Sequence, residues 1–135
     1  MPKARNRFER SEQVLAWLKG EWPPGRPVQI RWRAEIKYKD KLTGKFDQCC
    51  GETWRITGSR TLTIDLSKRK LRAWDEMADT LIHEYAHVRT WGPASLENHP
   101  KCDDHPPGFW ATYGEMIDRW NHQNGHLEAT DIEVG

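Results

Sequence analysis

The chain has 135 residues, of which 30% are charged, and a formal net charge of +1. This length suffices for one domain with a single hydrophobic core. The longest apolar run is far shorter than the roughly 18 residues that cross a bilayer, and the N-terminus lacks the apolar region of a secretory signal. These features argue against a membrane protein, and we expect a cytoplasmic location, alone or within a larger assembly.

The N-terminal region is predicted to form a basic arm and then a short helix. Residues 1–10 are rich in lysine and arginine, which predicts a flexible arm. From about Glu9 to Lys19, apolar residues recur at helical spacing until Gly20 and the turn Trp22-Pro23-Pro24-Gly25. We assign residues 11–121 to one domain and residues 122–135 to a C-terminal tail.

Three strands are predicted before the central part of the chain. Apolar and polar residues alternate from Val28 to Lys39, which indicates a strand with one buried face. A second strand runs from about Gly51 to Ile56, and a third carries Leu62, Ile64 and Leu66 on one face. Because helical segments precede and follow these mostly antiparallel strands, we expect a small α+β domain.

The most informative segment of the chain is His83-Glu84-Tyr85-Ala86-His87. Its helix is predicted to begin near Asp75 and to end before Gly92-Pro93, since proline cannot continue a helix. Side chains four residues apart share one face, so His83 and His87 can bind the same Zn²⁺ through their ring nitrogens. The opposite side carries an apolar stripe that can pack on a core: Ala78, Leu81, Ile82, Tyr85 and Val88.

Glu84 lies beside the first of these histidines and gives the motif its chemistry. A bound zinc ion lowers the pKa of its water to about 7, and a nearby carboxylate can take the proton during attack on a polarised carbonyl. The H-E-x-x-H pattern is typical of metallopeptidases. We therefore predict one Zn²⁺ ion, with Glu84 as the general base.

A catalytic zinc ion usually has three protein ligands, so a third is expected downstream. The candidates are His99, Asp103, Asp104 and His105. We favour His105, because Pro106-Pro107-Gly108 and a second apolar periodic segment follow it, and a packed helix would hold the ligand rigidly. Asp104 could instead accept a hydrogen bond from the other ring nitrogen of a ligand.

Two segments resemble the SprT-like (Spartan-type) zinc metallopeptidases: Asp79 to His87, with the letters DTLIHEYAH, and His105 to Trp110, with the letters HPPGFW. In that family a D-T-L-x-H-E-x-x-H helix is followed, after a variable loop, by a third histidine in an H-x-x-x-F context. The resemblance covers about Trp54 to Trp120 and implies a zincin-like fold and peptide-bond hydrolysis. Residue by residue, it implies three zinc ligands and a catalytic base: His83, His87 and His105, with Glu84.

Cys49, Cys50 and Cys102 are predicted to be reduced thiols. Adjacent cysteines pair poorly with each other, and any intramolecular pairing of three leaves one over. A second zinc site formed by the three cysteines is the alternative.

Two groups of polar residues have weaker functional signals. The basic run Lys68, Arg69 and Lys70, together with the basic N-terminus, either stays solvated or contacts DNA or an acidic surface. His122 and His126 repeat the spacing of the motif histidines without a glutamate, and we expect Asn124-Gly125 to break the helix there and leave both at the surface.

The leading hypothesis is a zinc-dependent endopeptidase that acts on a protein or peptide substrate. One alternative is a non-catalytic, zinc-stabilised binding or assembly module in which Asp103 or Asp104 closes the metal site. Another is a DNA-associated module in which peptidase activity is secondary.

Overall fold

A computed structural model describes residues 3–39, 42–92, 105 and 108–128, with side chains to residue 124. The described chain contains helices and two small sheets, which confirms the predicted α+β class. In chain order the elements are α1 (Arg7–Glu21), β1 (Val28–Arg33), β2 (Lys37–Lys39), β3 (Phe46–Gln48), β4 (Gly51–Trp54), β5 (Leu62–Ser67), α2 (Trp74–Arg89) and α3 (Phe109–Glu128).

The main sheet has three strands in the order β1-β5-β4. β4 runs antiparallel to β5 because a short turn joins them, and Thr53 lies opposite Ile64. β1 runs parallel to β5, with Val28 opposite Leu62, because the intervening chain contains β2, β3 and β4. The three-stranded sheet is therefore mixed. Across both sheets, two of the three strand pairs are antiparallel, β2 with β3 and β4 with β5.

The single strand predicted from Val28 to Lys39 is divided in two. β1 ends at Arg33, and β2 pairs with β3 in a separate two-stranded antiparallel sheet. Ile36 is buried between them, and its carbonyl accepts a hydrogen bond from the Cys49 N–H. The alternation of apolar and polar residues continues across the break, so the pattern alone could not locate it.

α1 begins within the segment predicted to be a flexible arm, so the predicted arm over residues 1–10 is wrong in its second half. Asn6 caps the helix with its side chain, and Arg7 is the first helical residue. Arg10 is 1% exposed, and its guanidinium lies over the rings of Trp74 and Trp120. Packing on these two rings explains why a basic residue is buried here.

α3 continues to Glu128, so the predicted helix break at Asn124-Gly125 and a tail beginning at residue 122 are wrong. Asn124 is buried, and the neighbouring Gln123 accepts a hydrogen bond from Trp17 Nε1 in α1 at 3.2 Å. These tertiary contacts outweigh the low helix propensity of Asn and Gly. His122 is exposed, as expected for a surface residue.

α2 is the central helix and packs against α1, α3 and the sheet. It begins earlier than predicted, because the N-cap is Ala73, whose N–H donates to the Glu76 carboxylate, and Trp74 is buried. The buried core around it consists mainly of aliphatic residues from all these elements: Val14, Leu15, Leu18, Leu62, Ile64, Leu66, Met77, Leu81, Ile82, Met116 and others.

A buried ionic group lies on the outer face of the sheet. Asp65 in β5 is 1% exposed and receives two hydrogen bonds from Arg31 in β1, at 3.0 and 2.8 Å. Glu52 in β4 is its register partner and is also buried. Among the described helices, none is long and apolar enough to cross a membrane.

Candidate metal centre

α2 places His83 and His87 on one face, as their spacing requires. Both imidazoles are half-buried, and their ring centroids are 5.4 Å apart. The opposite face of α2 is anchored by buried apolar residues, including Leu81, Ile82 and Tyr85. The helix is therefore fixed by its core side, and the two imidazoles are held at its outer side.

His105 joins these two histidines from the segment before α3. Its Nε2 atom lies 3.2 Å from Nε2 of His83, and one nitrogen from each of the three rings lies within 4.8 Å of the others. Phe109, the first residue of α3, packs against all three rings, with centroid distances of 4.4 to 4.8 Å. Gly108 precedes it with a φ of 82°, a conformation that favours glycine.

The other predicted candidates for a third ligand lie outside the described residues: His99, Asp103 and Asp104. The preference for His105 over these three residues remains a prediction. The hydrogen bond that Asp104 could accept from the other ring nitrogen of a ligand also remains a prediction. Within the part of the chain that the structure describes, the grouping that could hold a metal ion is His83, His87 and His105.

The environment of the histidines favours the form that binds metals. Burial lowers the pKa of His83, the nearby His105 adds to this effect and Asp79 opposes it, and the resulting pKa is about 4. Burial also lowers the pKa of His87 to about 3, with contributions from His83 and His105. The neutral imidazole therefore predominates near pH 7 in both, and its ring nitrogen has a lone pair for a metal ion.

Glu84 is 4% exposed and faces β4. The Thr53 hydroxyl lies 2.7 Å from Oε1 of Glu84 and 3.1 Å from its carbonyl oxygen, so β4 holds the carboxyl group in place. Burial and the charges of Glu52 and Asp65 raise the pKa of Glu84, whereas the hydrogen bond from Thr53 lowers it. The net result is a pKa of about 8.

The close approach of β4 to α2 depends on Gly51. A Cβ atom at this position would lie 3.0 Å from Thr80 Cγ2 and 3.2 Å from Glu84 Cγ. These distances are shorter than ordinary van der Waals contacts, so a larger residue would push the strand away from the helix. Glycine here allows Thr53 to reach Glu84.

A pocket opens next to the histidines, which we call the site pocket. Its volume is about 230 Å³, and its walls include Gly51, Asp79, His83, Glu84 and Tyr113. The Tyr113 hydroxyl donates a hydrogen bond to the Asp79 carboxylate at the edge of this pocket. Burial and this hydrogen bond raise the pKa of Tyr113. The pocket therefore has two carboxyl groups, those of Asp79 and Glu84, and one phenol on its walls beside His83.

Tyr85 of α2 does not line the site pocket. Its ring is fully buried, and its hydroxyl donates to the Trp22 carbonyl at 2.6 Å. Tyr85 therefore joins α2 to the turn after α1, and its hydroxyl has a structural partner.

The cysteines differ from the prediction. Cys49 is disulfide-bonded, so the prediction of reduced thiols is wrong there, whereas Cys50 is a free thiol on the wall of the site pocket. A disulfide sulfur is not a thiolate ligand, which argues against the zinc site considered for the three cysteines. Spacing in the sequence could not reveal the distance between sulfur atoms. Cys102 lies outside the described residues.

The basic run Lys68, Arg69 and Lys70 is exposed, in the turn between β5 and α2. Its residues do not line the site pocket. Contact with nucleic acid or an acidic surface through this run remains a prediction.

The sequence analysis missed two residues of the site: Thr53, which donates a hydrogen bond to Glu84, and Asp79, which accepts one from Tyr113. The contact of Thr53 with Glu84 depends on how β4 lies against α2, and no local pattern encodes that. Asp79 lies four residues before His83 on the same helix face, and this spacing is a signal that could have identified it.

Comparison with models of known protein families found none that matches this chain, and no solved structure matches it. The function of the site is therefore inferred from its own residues.

Proposed function

We propose that this protein is a zinc-dependent metalloendopeptidase of the SprT-like type, with His83, His87 and His105 as zinc ligands and Glu84 as general base. The observation that carries this proposal is the 3.2 Å separation of Nε2 of His83 and Nε2 of His105, beside a pocket whose wall includes Glu84.

The donor set suits zinc. Two nitrogens bound to one tetrahedral zinc ion, each at about 2.0–2.1 Å, lie roughly 3.3 Å from each other. The distance between His83 and His105 agrees with this value. Imidazole nitrogens also suit copper, iron and nickel, so the choice of zinc rests on the resemblance of the two motif segments to zinc peptidases. When bound, zinc would polarise a carbonyl group and lower the pKa of water to about 7.

Glu84 carries the proton transfer. Because Thr53 holds Oε1, we assign the proton of the attacking water to Oε2. The same proton then passes to the amine nitrogen as the peptide C–N bond breaks. A divalent ion at the histidines would favour the charged carboxylate and so oppose the effect of burial on the pKa of Glu84.

Tyr113 is the best-placed residue to stabilise negative charge on the substrate carbonyl oxygen. Its hydroxyl lies at the edge of the site pocket, and its proton goes to Asp79 in the absence of substrate. A turn of the O–H bond would let the phenol donate to the oxygen as charge develops in the transition state. Tyr85 does not have this freedom, because its hydroxyl is bonded to Trp22.

The test is cleavage of a reduced, unfolded protein by zinc-loaded full chain, followed by gel electrophoresis and mass spectrometry. Glu84→Gln should keep its zinc and lose activity by about 100-fold or more, since general-base catalysis contributes about that much. Glu115→Gln is the matched control, because Glu115 is exposed on α3 and pairs with Arg119. Full activity of Glu84→Gln would refute the mechanism. Zinc binding without cleavage by the wild type would favour a non-catalytic module.

A further inference from the structure

A second pocket, distinct from the site pocket, lies next to the C-terminal ends of β4 and α2. We call it the arginine pocket, because its walls include Arg26, Arg55 and Arg89, with Val88 and Trp91 as apolar neighbours. Its volume is about 480 Å³. The three arginines come from three parts of the chain: the loop before β1, the residue after β4, and the last residue of α2.

The charge of this pocket is strongly positive. A guanidinium group stays protonated at any physiological pH. The described residues that line the pocket include three arginines and no carboxylate. Like charges that converge on one concave space repel each other, and a bound anion relieves that repulsion. The pocket is therefore suited to an anionic group.

Hydrogen bonds to backbone carbonyls hold two of the arginines in position. Arg89 Nη1 donates to the Pro23 carbonyl at 2.9 Å, and Arg55 Nη1 lies 3.5 Å from the Ser59 carbonyl. Side chains that are already ordered lose less entropy when a ligand binds. A guanidinium group can also bind a carboxylate through two parallel N–H bonds.

The arginine pocket and the site pocket lie along the same edge. The site pocket is next to Gly51, at the start of β4, and next to Thr80 of α2. The arginine pocket is next to Arg55, just after β4, and next to Arg89 at the end of α2. The four-residue step from Gly51 to Arg55 along β4 and the nine-residue step from Thr80 to Arg89 along α2 each cover about 13 Å. Both elements therefore give the same distance between the two pockets. Glu84 lies between the two ends.

β4 is an edge strand of the three-stranded sheet, and an extended peptide can pair with such an edge through backbone groups. A peptide that follows β4 past Glu84 covers about 13 Å with about four residues. Its side chain at a position two to four residues from the reacting bond would then reach the arginine pocket.

We propose that the arginine pocket binds the carboxylate of an acidic side chain in a peptide that lies along β4, an assignment that rests on the peptidase activity proposed above. A nucleic-acid backbone is the other anionic partner to consider. It offers a row of phosphates and is bound by extended basic surfaces. Here three arginines line one pocket and do not form an extended row, which favours a single anionic group at the end of a side chain.

The test measures binding in the absence of turnover, with the zinc-loaded full chain that carries Glu84→Gln. The probes are fluorescent ten-residue peptides of serine and alanine, each with one glutamate at a successive position, and the same peptides with glutamine instead. At one position in the series, the glutamate peptide should bind at least about tenfold more tightly than the matching glutamine peptide. This difference in affinity should shrink at high salt. A phosphoserine peptide and a single-stranded DNA oligonucleotide are measured beside them.

Arg26→Gln and Arg89→Gln should each remove most of the preference for glutamate, whereas Arg89→Lys should keep part of it. Arg72→Gln is the control for net charge, since Arg72 is exposed and precedes α2 at the end opposite to Arg89. Equal affinity for the glutamate and glutamine peptides, or no peptide binding at all, would overturn the inference. So would DNA binding that depends on Arg26 and Arg89 and exceeds binding of the glutamate peptide.

This design separates the two proposals. If wild-type protein cleaves peptides but shows no preference for glutamate, the arginine pocket lacks the proposed role and the peptidase activity stands. If the glutamate preference is present and depends on Arg26 and Arg89 but no peptide is cleaved, the binding inference stands and the peptidase activity fails.

Discussion

The hydrogen bond from Thr53 to Glu84 makes a sharp prediction for the variant Thr53→Val. Valine keeps the shape and the strand preference of threonine but removes the hydroxyl group. Glu84 is 4% exposed, and its Oε1 atom then loses a donor at 2.7 Å. Loss of a hydrogen bond that leaves a buried polar group unsatisfied costs about 1–3 kcal/mol in the free energy of unfolding.

The same change should affect the proposed catalysis, because Thr53 orients Glu84, the proposed general base. We expect kcat/KM for peptide cleavage to fall by about tenfold, which corresponds to a loss of about 1.4 kcal/mol in transition-state stabilisation. Zinc content should stay the same, since Thr53 is not part of the histidine cluster. Urea unfolding, metal content and kcat/KM are the three measurements. Thr53→Ser keeps the hydroxyl group and should retain most of the activity.

Thr63→Val is the matched control. Thr63 is also a buried threonine, on the neighbouring strand β5, and its hydroxyl oxygen accepts a hydrogen bond from Gln29 Nε2 at 3.0 Å. Its replacement should lower stability with little effect on kcat/KM. The positioning role of Thr53 would be refuted if both valine variants changed kcat/KM equally, or if Thr53→Val left it unchanged.

Substitutions at Gly51, Glu52 and Tyr113 test three other features of the site and the sheet. Gly51→Ala should lower the free energy of unfolding by about 1–3 kcal/mol in urea titrations, because its Cβ would lie 3.0 Å from Thr80 Cγ2. Gly20→Ala is the control: its Cβ would meet open space, so this change should be neutral or stabilising. Equal effects of the two changes would count against the close approach of β4 to α2. Burial raises the pKa of Glu52 to about 7, so its contribution to stability is fully present below about pH 4.5 and is lost as the pH rises through 7. At pH 8 the free energy of unfolding of Glu52→Gln, from urea titrations, should therefore exceed that of the wild type by on the order of 1–3 kcal/mol. This difference should shrink towards pH 5, and a difference that stays constant with pH would contradict the prediction. Tyr113→Phe should lower kcat more than it raises KM and leave zinc content unchanged, and an unchanged kcat would remove Tyr113 from the mechanism.

The helix around the motif was predictable because local patterns determine it. The spacing of His83 and His87 fixes a shared helix face, and the apolar stripe on the other side fixes which face is buried. The segment after His105 was predictable as a helix for the same reason. The structure brings one ring nitrogen from each of these three histidines within 4.8 Å of the others.

The features that sequence reasoning missed depend on contacts between distant parts of the chain. The break between β1 and β2 lies inside a regular alternating pattern, and only the pairing of β2 with β3 reveals it. α3 continues through Asn124 because that residue is buried, which a local propensity cannot foresee. The bond between Thr53 and Glu84 similarly requires the placement of β4 against α2.

The proposed zinc site requires that His83, His87 and His105 bind one metal ion together. The most direct test is metal content per chain, by elemental analysis after purification with excess zinc and removal of loosely bound metal, for wild type and His105→Ala. His122→Ala is the control, because His122 is exposed on α3 and outside the cluster. We expect about one zinc ion per chain in the wild type and the control, and a marked loss in His105→Ala. Wild-type protein that binds no zinc, or a His105→Ala variant that keeps its zinc, would show that the three histidines do not form the proposed site.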